Sequence, residues 1–353
     1  VPDFSYKGAR NERTGEFRPF VVPGISDASA FPRLGAEALA PDQITGTYDD
    51  TPLPELPPEL HPARDKHLAE LVRNAKGKTC DNNRSYSLAR VDVTRPEVDG
   101  RRIVVFQLQF RPTDYFHFQF PNNALDTAVE VSGAVTTPRA ALRLSPERQS
   151  LDELDSAPCH FKVGTGTVLV CAPERAGAPE RVVVSIRSRR QLVAGGTEGP
   201  KYHLSTAEGM LRPADGPNGA PSPFRTAERA LHEELGLRSG TDYDPAALRC
   251  LGLYLDTSRA QPFFLMFARV PLAFPEVVER WKVAPHRHEN QKLVGPNWDA
   301  RAAHRLLIGT FTDADGTFYD VASNHAQLGF LMAAAHEDEL RRAATGERFV
   351  FRV

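Results

Sequence analysis

The chain predicts an α/β fold, and two patterns carry that reading. One is a set of short runs rich in Val, Ile, Leu and Phe and bounded by turn residues, as strands are. The clearest lie at 103–110, 181–190, 248–256 and 262–270. The other is a pair of helical repeats, over 222–236 and 324–342, set among and after those runs. With 353 residues the chain can support two domains. The expected division is an extended segment over 1–62, an additional amino-terminal α/β domain over 63–170, and a second domain over 171–353.

Each element has a local reason. Residues 51–60 hold four prolines among ten residues and read as an extended connector. A helical pattern follows at 61–75, through His67, Leu68, Leu71 and Val72. Strands are expected at 85–93 and 103–110. The strict alternation of Phe116, Phe118 and Phe120 with polar residues predicts a third, with one buried face. Residues 162–171 should form a strand joining the two domains. Residues 181–190 read as a buried strand ending in a basic edge, Arg187, Arg189 and Arg190, and 202–205 as a short strand. Tyr202 and His203 on that strand could stack on a base or ring, or pack as buried strand residues. Asp313 to Gly316 reads as a turn, because a calcium loop would need further ligands downstream.

The helix at 222–236 carries the chemistry. Ser222 suits its N-cap, Pro223 its first turn and Gly236 a left-handed end. Ala227, Leu231 and Leu235 form a four-residue apolar stripe. Positions 230, 233 and 234 then share a face, and Arg229 pairs with Glu233 at i,i+4. Adjacent carboxylates presented this way suit magnesium, which is commonly held by one or two carboxylates together with substrate phosphates.

These residues resemble the Nudix box, whose second half has the pattern R-E-U-x-E-E-x-G-U, with U a bulky aliphatic. Arg229, Leu231, Glu233, Glu234, Gly236 and Leu237 match it, and Ala230 stands where the pattern has a glutamate. The box would span residues 209–237. Glu208 and Gly209 resemble the turn entering it, but Gly209 lies 20 positions before Arg229, where the family spacing is 14. Residues 211–221 therefore form an enlarged loop.

The resemblance implies a Nudix α/β/α sandwich over roughly 178–342. It implies a hydrolase dependent on Mg2+ or Mn2+, acting on a diphosphate-linked nucleotide or related small phosphorylated compound. Glu233 and Glu234 would hold metal, helped by Glu208. Glu289, where the family often supplies a further acid, would be a ligand or base. Arg187, Arg189 and Arg190 would clamp a phosphate, with Tyr202 and His203 beside it. Arg229 would tie the box loop to its helix. Because of Ala230, two alternatives stand: hydrolysis of a glycosidic bond on the same fold, or a non-catalytic nucleotide-binding regulator.

Composition sets the outer limits. Hydrophobic content of 41% and charged content of 25% suit a globular protein. A net charge of −2 gives no bulk attraction to nucleic acid or membrane. No apolar run reaches bilayer length, and no charged-then-apolar leader is evident. The spacing of Cys80, Cys159, Cys171 and Cys250 fits no zinc site and is expected of free thiols in a cytoplasmic protein. Heavy use of Ala, Arg, Gly and Pro fits a bacterial source. A homodimer is compatible with the additional domain.

Overall fold

The structure is a computed structural model describing residues 8–10, 17–19, 38–74, 82–144, 159–187, 201–216, 220–256, 259–307 and 310–345. Its first half contains β1 (Gly8–Arg10), β2 (Phe17–Pro19), β3 (Ile44–Tyr48), α1 (His61–Asn74), β4 (Arg84–Thr94), β5 (Glu97–Val98), β6 (Arg101–Arg102), β7 (Val105–Asp114), α2 (Tyr115–Gln119), β8 (Val129–Val131), β9 (Ala134–Thr136) and α3 (Pro138–Ala141). The second half contains β10 (Gly164–Ala172), β11 (Arg181–Arg187), β12 (Lys201–His203), β13 (Thr206–Gly209), α4 (Pro223–Leu235), β14 (Arg249–Asp256), β15 (Gln261–Ala273), α5 (Phe274–Lys282), β16 (Asn290–Val294), α6 (Ala300–Leu307), β17 (Thr310–Thr312), β18 (Phe318–Val321) and α7 (Asn324–Thr345).

A mixed nine-stranded sheet organises the second half in the order β14-β15-β10-β11-β12-β18-β17. Strand β13 pairs with the first residues of β10, and β16 pairs with β11. At its centre β10 runs parallel to β15, with Leu169 opposite Ala268, and antiparallel to β11, with Leu169 opposite Val183. Alternation sends neighbouring side chains to opposite faces. Leu169, Cys171, Val183, Met266 and Ala268 pack with Ala227, Leu231 and Leu235 of α4 and Val277 of α5. Val168, Val170, Val182, Val184 and Phe267 pack with Ala303 and Leu306 of α6 and Phe330 and Ala333 of α7. The architecture is therefore an α/β/α sandwich. Each aliphatic or Phe side chain sealed in these layers contributes about 1.5–3 kcal/mol.

The first half does not stand apart from this sandwich. Its three-stranded sheet, β3-β7-β4, places Ile44, Leu88, Phe106 and Phe110 in the same apolar core as Leu231 and Leu235. The contact is close: a Cβ on Gly46 of β3 would lie 2.0 Å from the carbonyl oxygen of Pro221, just before α4. The boundary expected between 170 and 171 falls inside β10, whose burial on both faces makes it a core strand of the sheet rather than a connector.

Two elements differ from expectation. Residues 115–119 form α2, not a strand: Asp114 caps it, its carboxylate accepting from the His117 N–H at 2.9 Å. The segment expected to be extended over 1–62 contains β3, which pairs in parallel with β7 from Ile44↔Phe106 to Tyr48↔Phe110. The turn at Asp313 is present, with the Gly316 N–H donating to the Asp313 carbonyl at 3.1 Å. Among the described residues Cys159, Cys171 and Cys250 are buried free thiols, and no helix is long and apolar enough to cross a membrane. Cys80 lies outside the described residues.

Candidate active site

Helix α4 begins and ends as its residues dictate. Ser222 occupies the N-cap with extended backbone, but its side chain makes no capping bond; its N–H donates to the Asp215 carbonyl at 2.9 Å instead. Gly236 closes the helix in the left-handed region at φ 72°, where a Cβ would meet the Arg280 carbonyl oxygen at 2.4 Å. Only glycine fits both constraints.

Arg229 is the hub of the loop before the helix. Its Nε and Nη2 donate to the two Asp215 oxygens, each at 2.9 Å, and Nη2 also donates to the Gly209 carbonyl at 2.7 Å. Its Nη1 donates to Glu233 at 2.8 Å and lies 3.5 Å from Glu208. The tie between loop and helix, and the i,i+4 pair, are thus both present. Asp215, buried in the enlarged loop, had no signal in the sequence beyond its charge.

Four carboxylates converge here. Glu208 ends β13, Glu233 and Glu234 end α4, and Glu289 precedes β16. Arg187 links two of them, its Nη1 lying 3.3 Å from Glu289 and 3.7 Å from Glu234. Glu234 is fully buried; it accepts from the Ala207 N–H at 2.9 Å and from Asn290 at 3.4 Å. Burial pushes its carboxyl up to about 8; Arg187 opposes this, while Glu289 and Glu208 add to it. Glu208 is likewise raised, first by burial, with Arg229 opposing and Glu289 reinforcing. Carboxyl groups held above their ordinary range by burial and by one another mark a place that a cation would stabilise.

Two further groups belong to this cluster. His286 donates its backbone N–H to the Glu233 carbonyl at 2.7 Å, fixing the downstream loop to the end of α4. One donor atom each of Glu208, His286 and Glu289 lies within 4.8 Å of the others. Lys162 approaches from the amino-terminal side, its Nζ 5.2 Å from the Tyr115 ring centroid and 5.8 Å from that of Phe118. Its pKa is lowered by burial, with Glu208 opposing. Neither His286 nor Lys162 is among the residues that the sequence singles out.

The remaining expected residues fare differently. Arg187 reaches the site but meets carboxylates, not an open edge. Arg189 and Arg190 lie outside the described residues. Tyr202 is not beside the carboxylates: it is fully buried in the opposite layer among Phe311 and Phe330, and its hydroxyl donates to the Leu306 carbonyl. Strand alternation puts it in the core. His203 is buried too, with Nε2 2.9 Å from Ser323 Oγ and Nδ1 accepting from the Leu204 N–H at 2.8 Å. Its two ring nitrogens are thereby used within the fold. Ala230 is fully buried, so the position matching the family glutamate faces no solvent.

The chain matches no family model and no curated protein. It is similar in structure to a MutT/nudix family protein from Listeria innocua, at 17% identity over 51% of this chain and 96% of that one, with a TM-score of 0.32. A MutT/nudix family protein from Enterococcus faecalis is similar at 12% identity over 38% of this chain and 43% of that one, with a TM-score of 0.26. The T. brucei MERS1–RNA complex is similar at 16% identity over 56% and 60%, with a TM-score of 0.28. What the site can do follows from its own geometry.

Proposed function

We propose that this protein is a cytoplasmic hydrolase, dependent on a divalent metal, that cleaves a diphosphate-linked nucleotide or related small phosphorylated compound. The convergence of Glu208, Glu233, Glu234 and Glu289 around two arginines carries this reading. The donor set fits a divalent ion: the carboxylates outnumber the guanidinium groups, and the Nδ1 of His286 and the Oδ1 of Asn290 are buried without a hydrogen-bond partner. Glu234, Glu208 and Glu289 would hold the ion. Such an ion supplies charge neutralisation at a phosphate and activates water. Arg229 keeps Glu233 and Glu208 in place through its fork on Asp215. Lys162 brings positive charge for an anionic substrate.

The test is turnover of nucleoside diphosphate sugars, dinucleotides, nucleoside triphosphates and monophosphates, with and without divalent ions, products read by mass. Metal-dependent release of phosphate or a nucleoside monophosphate is expected. Metal-free release of a base or sugar would replace this reading with glycosidic-bond hydrolysis. No turnover would favour a nucleotide-binding regulator.

A further inference from the structure

His286 is set up as more than a neighbour of Glu289. Its side chain is 40% exposed, yet Nδ1 itself is buried and makes no hydrogen bond among the described residues. That nitrogen lies 3.6 Å from Glu233 Oε2 and 3.8 Å from Glu289 Oε1, too far to bond either. A buried ring nitrogen without a partner is destabilising, because it has given up its hydrogen bond to water and gained none in return. It lies among the carboxylates while its backbone is tied to α4 through the Glu233 carbonyl. Ligands about 2.1 Å from one octahedral ion sit roughly 3–4.2 Å from each other. Spacings within 4.8 Å for Glu208, His286 and Glu289 therefore close on an ion with small side-chain rotations.

Asn290 is an independent sign. It is buried, with its amide nitrogen on Glu234 and its oxygen unpartnered. Turning the amide over would bring that oxygen to the Glu234 side.

We propose that His286 is a metal ligand through Nδ1, supplying the donor that Ala230 does not. This rests on the divalent-metal reading above and narrows it. An imidazole nitrogen in place of one oxygen favours first-row transition dications over Mg2+, which takes oxygen ligands. The site is then a mixed nitrogen–oxygen centre for an ion such as Mn2+.

The test uses the full-length protein with Mn2+ alone as probe. Pulsed electron paramagnetic resonance reads nitrogen coupling to bound Mn2+, and titration gives Mn2+ and Mg2+ affinities for wild type and His286→Ala. Expected are a histidine nitrogen coupling in wild type, its loss in the variant, and a fall in Mn2+ affinity of about tenfold or more. Mg2+ affinity should change much less. Mn2+ bound without nitrogen coupling would overturn the role of His286 and leave the metal-dependent hydrolase standing. No Mn2+ or Mg2+ binding by wild type would overturn both. The wild-type spectrum decides the point even if the variant folds poorly.

Discussion

Arg229 grips Asp215 with two parallel hydrogen bonds, Nε to Oδ1 and Nη2 to Oδ2, each 2.9 Å long. This fork joins the enlarged loop to the helix that carries Glu233 and Glu234. Asp215 is wholly buried, so this fork takes the place of the hydrogen bonds that water would make to its carboxylate. Arg229→Ala should cost about 3–5 kcal/mol by leaving a buried carboxylate unpaired. Arg229→Lys should recover only part, because an ammonium cannot form the fork. Urea denaturation of the two variants checks this; equal stability of Lys and wild type would show the fork to be dispensable.

Glu234→Gln should separate stability from activity. The amide keeps the shape of a carboxyl that burial already holds near 8 and can still accept from Ala207. Metal-free melting should stay level or rise. Turnover should fall by about tenfold or more if Glu234 holds the ion. Full turnover would remove Glu234 from the reaction.

Ala230→Glu restores the residue of the family pattern at a fully buried position. Without metal the new carboxylate has nothing to offset its desolvation, and melting temperature should drop by roughly 1–2 °C for each kcal/mol lost in a chain of this length. A divalent ion should recover it. A drop that saturating Mn2+ and Mg2+ leave unchanged would mean that position 230 does not face the site.

Buried histidines predict an acid-sensitive fold. Burial lowers His160 and His325 to about 4, and lowers His203 well below its ordinary value of 6.5. The unfolded chain takes up protons near pH 6.5 while the folded chain resists. Their stabilisation is therefore complete above pH 6.5 and lost as pH falls toward 4, by up to about 1.4 kcal/mol per pH unit for each histidine. Raised carboxyls such as Glu234 act in the opposite sense, so the difference between wild type and His325→Gln isolates one group. Stability measured at pH 7.5 and 5 should fall less steeply in that variant; identical slopes would show that His325 is not held neutral.

Tyr202→Phe should leave the Michaelis constant unchanged and cost about 1–3 kcal/mol, since the Leu306 carbonyl loses its buried donor. A weakened substrate affinity at unchanged stability would return Tyr202 to the binding site.

What the sequence disclosed followed from local chemistry. Helix α4 was legible because Pro223, the Leu231–Leu235 spacing and Gly236 each act within one or two turns. Residues 115–120 were misread because the phenylalanines alternate with period two, while the deciding contact is one cap from Asp114. Strand β3 was missed because its partner β7 lies some sixty residues away. Glu208, Glu233, Glu234 and Glu289 could be named from spacing and resemblance. The partnerships of Asp215 and His286 could not: each depends on where distant backbone comes to rest.

Gly46 abutting Pro221 gives the first half of the chain a mechanical role. The same loop is held by Arg212, whose guanidinium lies 4.3 Å from the ring centroid of Tyr48, at the end of the same strand as Gly46. The stretch that lengthens the box is thus a handle, gripped on one side by β3 and on the other by Arg229. Displacing β3 would pull on Asp215 and, through it, on Glu233 and Glu208. An exchange of amino-terminal segments between relatives would preserve the site only if the loop over 211–221 travelled with them.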